Sequence, residues 1–287
     1  MAVTAILHES ADWPAFAGEG WARTILSVPV TDRFHAKQGR SIGRWTMTSA
    51  SGAVLVVYLK RHYELPRLHG LLARLFPSSA WSPGLQEWEH LQRAAAAGLP
   101  VPRAVASGEF RGPGLKLQSF LAVEELAGQL ALHEAIPLAF AQLTTADFTA
   151  WKRGLIGELA RLSRELHRHR LFHKDLYLCH FYIAEADTLA VPASWRDRVA
   201  MIDFHRLGRH RLGWQWYVSK DLAQLLYSSD VPGVDDKDRL RFWKRYSGGK
   251  WGSTRRPTSW LRRLVVWKWK RYRRHNAKRK ARAGSSG

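Results

Sequence analysis

The stretch "LFHKDLYLCHFYI", residues 171–183, places His173, Asp175, the single cysteine Cys179 and His180 inside an otherwise apolar run. Asp203 follows 28 residues after Asp175, at the end of "VAMI" in "IDFHR". Upstream, Lys60 closes a β-branched run and Glu87 lies in the next amphipathic stretch. Phosphoryl transfer calls for these groups: a lysine on the upper phosphates of a nucleotide, a carboxylate orienting that lysine, a carboxylate for the nucleotide's cation and one facing the acceptor hydroxyl. Each group also has an ordinary reading. A lysine at a strand end is commonly a solvated edge residue, and Glu87 competes with Glu89 as an exposed helix charge. His173, Cys179, His180 and His205 raise a zinc site, but Cys179 has no second cysteine beside it and reads more simply as a small buried hydrophobe.

These residues need elements to hold them. From Phe34 to Leu59 the chain predicts two or three strands, with "GRSIG" (39–43) and "SASG" (49–52) as turns. Gly39 and Gly43 lack the G-x-G-x-x-G spacing, so a hairpin turn is the plainer reading than a phosphate cradle. "SPGLQEWEHLQRAAAAGLPVP" predicts a helix capped by Ser82, opened by Pro83 and stopped at Gly98 and Pro100. "LKLQSFLAVEEL" (115–126) predicts a strand, and Trp151, Leu155, Leu159, Leu162 and Leu166 recur at helical spacing over about 146–169. A short strand at 198–202 and helices near 219–228 and 236–246 follow. Strands first and helices afterwards predict an α+β protein with a sheet-rich front lobe and a helical rear lobe. The expected division is 1–126, 127–250 and a basic, Trp-rich tail at 251–287, since no acidic residue follows Asp238.

Length and composition bound the function. The 287 residues, 46% hydrophobic, are enough for a sizeable core, and one cysteine excludes an internal disulfide framework. The formal charge of +21 points to an acidic partner: a phosphorylated substrate, an anionic membrane face or nucleic acid. The N-terminus does not read as a signal peptide, and the longest apolar runs fall far short of a membrane span, so a cytoplasmic location is expected. No nucleic-acid reading module is recognisable, and no specific nucleic acid is expected.

"YLKRHYE" (58–64), "LQEWEHLQRAAAAGLPVP" (85–102), "HKDLYLCHFYI" (173–183), "MIDFHR" (201–206) and "KDLAQLLYSS" (220–229) resemble the lipopolysaccharide kinase family, the Kdo and heptose kinases of the lipopolysaccharide inner core. The resemblance implies a bilobal protein-kinase-like fold, with a small β-rich N-lobe and a larger, mainly helical C-lobe. It implies ATP and Mg2+ as cofactors and lipopolysaccharide inner core, or a lipid A precursor, as substrate. Carried over position by position, it implies Lys60 on the nucleotide phosphates with Glu87 as ion-pair partner; beside it, Gly39 and Gly43 are supporting candidates for the nucleotide site and Leu126 is expected near the adenine. Asp175 becomes the catalytic base and Asp203 a metal ligand. His180 falls where protein kinases bind a second magnesium; it either ligates metal weakly or orients Asp175 or a phosphate. Lys174 replaces an arginine and cannot form the bidentate fork that reads a phosphorylated activation segment. His205 replaces a glycine, and "EADTLAVPASWRDR" is an apparent insertion.

Arg206, Arg209 and Arg211 read either as a solvated basic loop or as contacts for acceptor anions. The tail "WLRRLVVWKWKRYRRHNAKRKARA" (260–283) predicts peripheral attachment to an anionic membrane, at the cytoplasmic face of the inner membrane. Packing of its tryptophans on the rear lobe is the competing reading, because Trp267 and Trp269 do not share one helical stripe. The alternatives to a core-sugar kinase are a kinase of another small sugar or aminoglycoside-like acceptor, and a catalytically silent kinase fold that binds a lipid or protein partner.

Overall fold

The computed structural model describes residues 4–30, 32–33, 39–248 and 259–284; residues 34–38, where the first strand is expected to begin, lie outside them. The chain divides into two compact units, Met1–Arg93 with Pro102–Ala127, and Ala94–Val101 with Gly128–Gly287.

In the first unit, strands β1 (Thr4–Glu9), β2 (Asp32–Arg33), β3 (Arg40–Thr48), β4 (Val54–His62), β5 (Ala104–Arg111) and β6 (Leu117–Glu124) form one sheet in the order β1-β5-β6-β4-β3-β2. All its pairings are antiparallel. Helices α1 (Trp13–Ala17), α2 (Arg67–Leu75) and α3 (Pro83–Ala96) complete it, with the last residues of α3 belonging to the second unit. Side chains alternate along β4, so Leu55, Val57 and Leu59 enter a core with Trp13, Trp21, Ile25 and Phe120. Residues 10–30, silent in the sequence pattern, supply the tryptophans that seal this face; Trp13 meets Trp21 and Trp45 edge to face.

"SASG" does close the β3–β4 hairpin, with Gly52 left-handed at φ 82. "GRSIG" is different: only Gly39 (φ 71) lies in a turn, and Arg40–Gly43 is already strand. Cross-strand partners decide this, since Ser41 lies opposite Arg61 and accepts a hydrogen bond from its Nε, while Ile42 lies opposite Lys60. The Ser82 cap is also replaced. Its hydroxyl has no partner among the described residues; instead Glu109 accepts from the Ser82 amide (3.1 Å) and Ser119 Oγ from the Gly84 amide (3.3 Å). Strands thus terminate the helix where the local sequence does not. The stop at Gly98 is as read, with φ 72 and Leu99 N donating to Ala94 O.

The second unit contains α4 (Leu132–Gln142), α5 (Thr145–Arg168), α6 (Trp214–Ser228), α7 (Asp236–Gly248) and α8 (Ser259–Gly284). Its strands are short: β7 (Gln129–Ala131), β9 (Phe181–Ala184) and β10 (Ala200–Met201) form one sheet, and β8 (Leu171–Phe172) pairs with β11 (Gly208–Arg209). The strand expected over 198–202 shrinks to two paired residues, although Val199 is buried. Thr144 caps α5 by accepting from the Asp147 amide, and the stripe Trp151, Leu155, Leu159, Leu162, Leu166 is buried. The insertion after β9 is fastened to this helix. Trp151 Nε1 donates to Asp187 O (2.6 Å), and Trp195 packs edge-on against Trp151 over Gly154, where any Cβ would strike its indole.

The tail helix α8 packs along α6 through Leu261 and Val265, with Trp269 and Tyr272 against the same cluster, while Trp260 and Trp267 are exposed. Among the described residues no helix is long and apolar enough to cross a membrane.

Candidate active site

In the first unit the register of β4 against β3 and β6 sets Lys60 between Ile42 and Leu121. Helix α3 buries Leu91 and Ala94, one and two turns beyond Glu87, which turns that carboxylate inward. Lys60 Nζ donates to Glu87 Oε1 at 2.6 Å, and Glu87 is 5% exposed. Glu89 instead faces outward and pairs with Arg93. Leu126 is half-buried just past β6, after Glu125, whose carboxylate is held by the Arg44 fork at 2.8 and 2.9 Å. Hydrogen bonding to Arg44 keeps the Glu125 pKa below its ordinary value. Gly39 precedes β3, and Gly43 is buried within it opposite Leu59.

In the second unit Asp175 stands on the turn that follows β8. The turn is imposed rather than intrinsic, because Lys174 is left-handed at φ 67. A fully buried carboxylate on α6, Asp221, holds it: Oδ2 accepts from His173 N (2.9 Å) and Oδ1 from Lys174 N (2.8 Å). His167 Nε2 also lies 3.2 Å from Asp221, and its Nδ1 lies 2.8 Å from the buried Tyr246 hydroxyl. Helix α5, through His167, and the turn after β8 therefore meet on one carboxylate of α6, and α7 backs His167 through Tyr246. Gln224, one turn further along α6, accepts from Leu176 N and donates to Asp175 Oδ1 (3.3 Å) and the Tyr177 hydroxyl (3.1 Å).

His173 links this turn to the strand end that carries Asp203, its Nε2 donating to Ile202 O at 2.9 Å. Burial lowers its pKa, which suits a neutral strut stacked on His180 and packed against the tilted ring of Phe204. His180 makes the second link. Its Nδ1 donates to Asp175 O (2.7 Å) and its Nε2 lies 3.5 Å from Asp203 Oδ2. Burial opposes the imidazolium, but hydrogen bonding with Cys179 and the Asp175 carbonyl, together with the Asp203 charge, raises its pKa above the ordinary value. Asp203 itself is left-handed at φ 65, and His205 Nδ1 lies 2.6 Å from its Oδ1. Arg206 reaches back to Asp175, with Nη1 at 3.2 and 3.0 Å from its two oxygens.

Asp175 and Asp203 thus belong to one polar assembly, as do His173 and His180. Lys60 and Glu87 form a separate pair in the first unit. Asp221, Gln224, His167 and Tyr246 were not singled out by the sequence. The available signal was an aspartate between the apolar residues of "KDLAQLLYSS", since a buried carboxylate must find partners. A carboxylate with an exposed edge, as in Asp203, suits magnesium, which is commonly bound by one or two carboxylates, water and phosphate oxygens. Among the described residues no group of three His, Cys, Asp or Glu side chains is arranged to hold a metal ion.

The model of the lipopolysaccharide kinase (Kdo/WaaP) family matches residues 33–246. Among curated proteins, the chain is 32% identical over 168 residues to the lipopolysaccharide core heptose(I) kinase WaaP of Pseudomonas aeruginosa, a match covering 56% of this chain and 58% of that one. The match to the Escherichia coli K12 protein of the same name is 29% over 167 residues, covering 57% and 59%. A 3-deoxy-D-manno-octulosonic acid kinase of Haemophilus influenzae is 27% identical over 191 residues, covering 61% and 70%. The chain thus spans under two thirds of the length of the heptose kinases it matches. A solved structure, WaaP in complex with acyl carrier protein, superposes with a TM-score of 0.66 at 24% identity, over 93% of this chain and 98% of that one. The fold is therefore the bilobal, α+β protein-kinase-like one. With the family model matching well over half of its residues, the chain belongs to the lipopolysaccharide kinase (Kdo/WaaP) family.

Proposed function

We propose that this chain transfers the γ-phosphoryl group of ATP to a hydroxyl of an inner-core lipopolysaccharide sugar, a Kdo or heptose residue. The observation that carries the reading is the tie between Asp175 and Asp203 through His180 and His173, on a turn held by buried Asp221. In this reading Lys60, fixed by Glu87, binds the nucleotide phosphates, with Gly39, Gly43 and Leu126 beside the nucleotide. Asp175 takes the proton of the acceptor hydroxyl as that oxygen attacks the γ-phosphorus and the bond to the β-phosphate oxygen breaks. Gln224 and Arg206 fix the plane of the Asp175 carboxylate, so Arg206 serves the base rather than a distant acceptor anion. Asp203 would hold a magnesium ion, which neutralises charge on the phosphate oxygens. His180, with its ring protons directed at Asp175 O and Asp203, orients both carboxylate segments in preference to ligating metal.

The direct test is incubation of the purified chain with γ-labelled ATP and core lipopolysaccharide, followed by mass spectrometry of the released core. Gain of one phosphate on a Kdo or heptose is expected. Label transfer to a soluble aminoglycoside but not to core would move the assignment to the small-sugar alternative.

Peripheral attachment to an anionic membrane belongs to the same reading and is supported by α8, where Trp260 and Trp267 are exposed among Arg and Lys. Replacing both tryptophans by serine should weaken sedimentation with anionic vesicles and leave the melting temperature unchanged. Deleting the helix is a poorer test, because Leu261 and Val265 are part of the core. An acyl carrier protein, the partner of the solved relative, is a further partner to test here. An apolar cavity of about 390 Å³, lined by residues including Leu155, Leu159, Leu222, Val265 and Trp269, offers room for an acyl chain.

A further inference from the structure

Helices α6 and α8 line a second, open pocket of about 330 Å³, formed by Trp216, Lys220, Lys268, Arg271, Tyr272 and His275. Its lining holds three basic side chains, Lys220, Lys268 and Arg271, and no described carboxylate. Its place in the fold is informative. Trp216, Lys220 and Gln224 recur every four residues, so they lie along one face of α6, about 6 Å apart. Gln224 is the residue that donates to Asp175 Oδ1. The cavity therefore begins about one helical turn from the group that orients the proposed base.

Lys268 is anomalous. It is 7% exposed and sits between Val265 and Tyr272 on the packed stripe of α8, where packing alone favours an apolar side chain. Its ammonium lies 3.2 Å from the centroid of the Trp216 ring and donates to Trp216 O, one acceptor among the described residues for three N–H groups. Burial, then the charges of Lys220 and Arg271, lower its pKa to about 8. Burial and Arg206 push Lys220 in the same direction. The carboxylates that act on Lys220, Asp175 and Asp221, are already bonded to Arg206 and Gln224, and to the turn amides and His167. Crowded like charges cost folding stability, and a bound anion relieves that cost.

We propose that this pocket binds the carboxylate of a sugar acid in the acceptor, through Lys220, Lys268 and Arg271, while Asp175 addresses a neighbouring hydroxyl. The proposal rests on the saccharide-kinase reading above and deepens it by assigning the residues that recognise the acceptor's acid group. Arg271 offers a planar fork matched to a carboxylate, and its guanidinium is stacked over Trp267, 4.8 Å from the ring centroid. Trp216, 51% exposed, adds an aromatic surface for the apolar face of a sugar ring. One named relative is a kinase of such a sugar acid.

The experiment titrates the full chain with 3-deoxyoctulosonic acid and with its carboxyl-reduced, neutral counterpart, following tryptophan fluorescence. It is repeated with Lys268→Met and Arg271→Gln, and the acceptor and ATP KM values are measured for all three proteins. The wild type should bind the acid at least about tenfold more tightly than the neutral sugar, and each variant should lose roughly 10- to 100-fold of acid affinity. Discrimination should collapse in both variants while the ATP KM stays unchanged. Lys268→Met should melt at or above the wild-type temperature, because methionine suits the apolar stripe. Equal binding of acid and neutral sugar by the wild type, or undiminished discrimination in the variants, would overturn the proposal. So would variants impaired only in binding anionic phospholipid vesicles. A wild type that discriminates but phosphorylates no core saccharide would sink the kinase reading and leave the pocket standing.

Discussion

Two regions of this chain hold a carboxylate of the proposed site, and they do so by opposite means. Glu87 projects from the body of a regular helix onto Lys60 in a regular strand. Asp175 stands on a left-handed turn whose place depends on Asp221 and Gln224 from α6 and on the tie from His173, within the turn, to Ile202 O. Regular elements place a charge by periodicity, so the first arrangement is nearly local. A turn needs buried polar groups to fix it, and every one of them must be satisfied. The difference teaches that robustness should differ too: the first pair can be broken with little loss of fold, the second network cannot.

Breaking Asp221 tests this most severely. Asp221→Ala would strip the acceptor from the His173 and Lys174 amides and from His167 in a buried site, at a cost of about 3–5 kcal/mol. Urea unfolding should report it, with Asp221→Asn losing less. The next effect belongs to the first unit, where burial, then Arg40 and Lys60, lower the His62 pKa from 6.5 to about 4. A depressed folded-state pKa gives stability that is full above pH 6.5 and drains away as the pH falls toward 4, because the unfolded chain gains the proton first. The loss at the acid end should be about 3 kcal/mol, and His62→Gln should flatten the dependence of melting temperature on pH over that window. Glu87→Gln is expected to raise the ATP KM about tenfold while shifting stability by under about 1 kcal/mol. Smallest of all, Tyr246→Phe removes one hydrogen bond to His167 and should cost about 1 kcal/mol by denaturant melt, with the ATP KM unchanged. Equal stability losses in Asp221→Ala and Glu87→Gln would erase the contrast.

The same contrast explains what could be read from the residues in advance. The body of α3, the stop at Gly98 and the buried stripe of α5 follow from spacing within one element, and all were legible. The cap on α3 was not, because Glu109 and Ser119 supply it from strands β5 and β6. "GRSIG" misled for a related reason: glycine content suggests a turn, while the pairing of Ser41 and Ile42 with β4 makes a strand. In the site, Asp175 and Asp203 stood out by their place after a helix and a strand. Asp221 did not, since its partners lie 47 and 48 residues upstream and are mostly backbone amides, which carry no side-chain signature. The tail held the remaining surprise. Trp267 and Trp269 point to different surroundings, one exposed and one packed, so a single stripe was never the right test of that helix.

The central claim is that Asp175 acts as the base of a saccharide kinase. Asp175→Asn preserves the shape of the turn and can still accept from Gln224, so it isolates proton acceptance from folding. With core lipopolysaccharide and ATP, kcat should fall by about 10²–10⁴-fold while the dissociation constant for ATP stays at the wild-type value. An Asp175→Asn protein that phosphorylates the core at the wild-type rate would contradict the account.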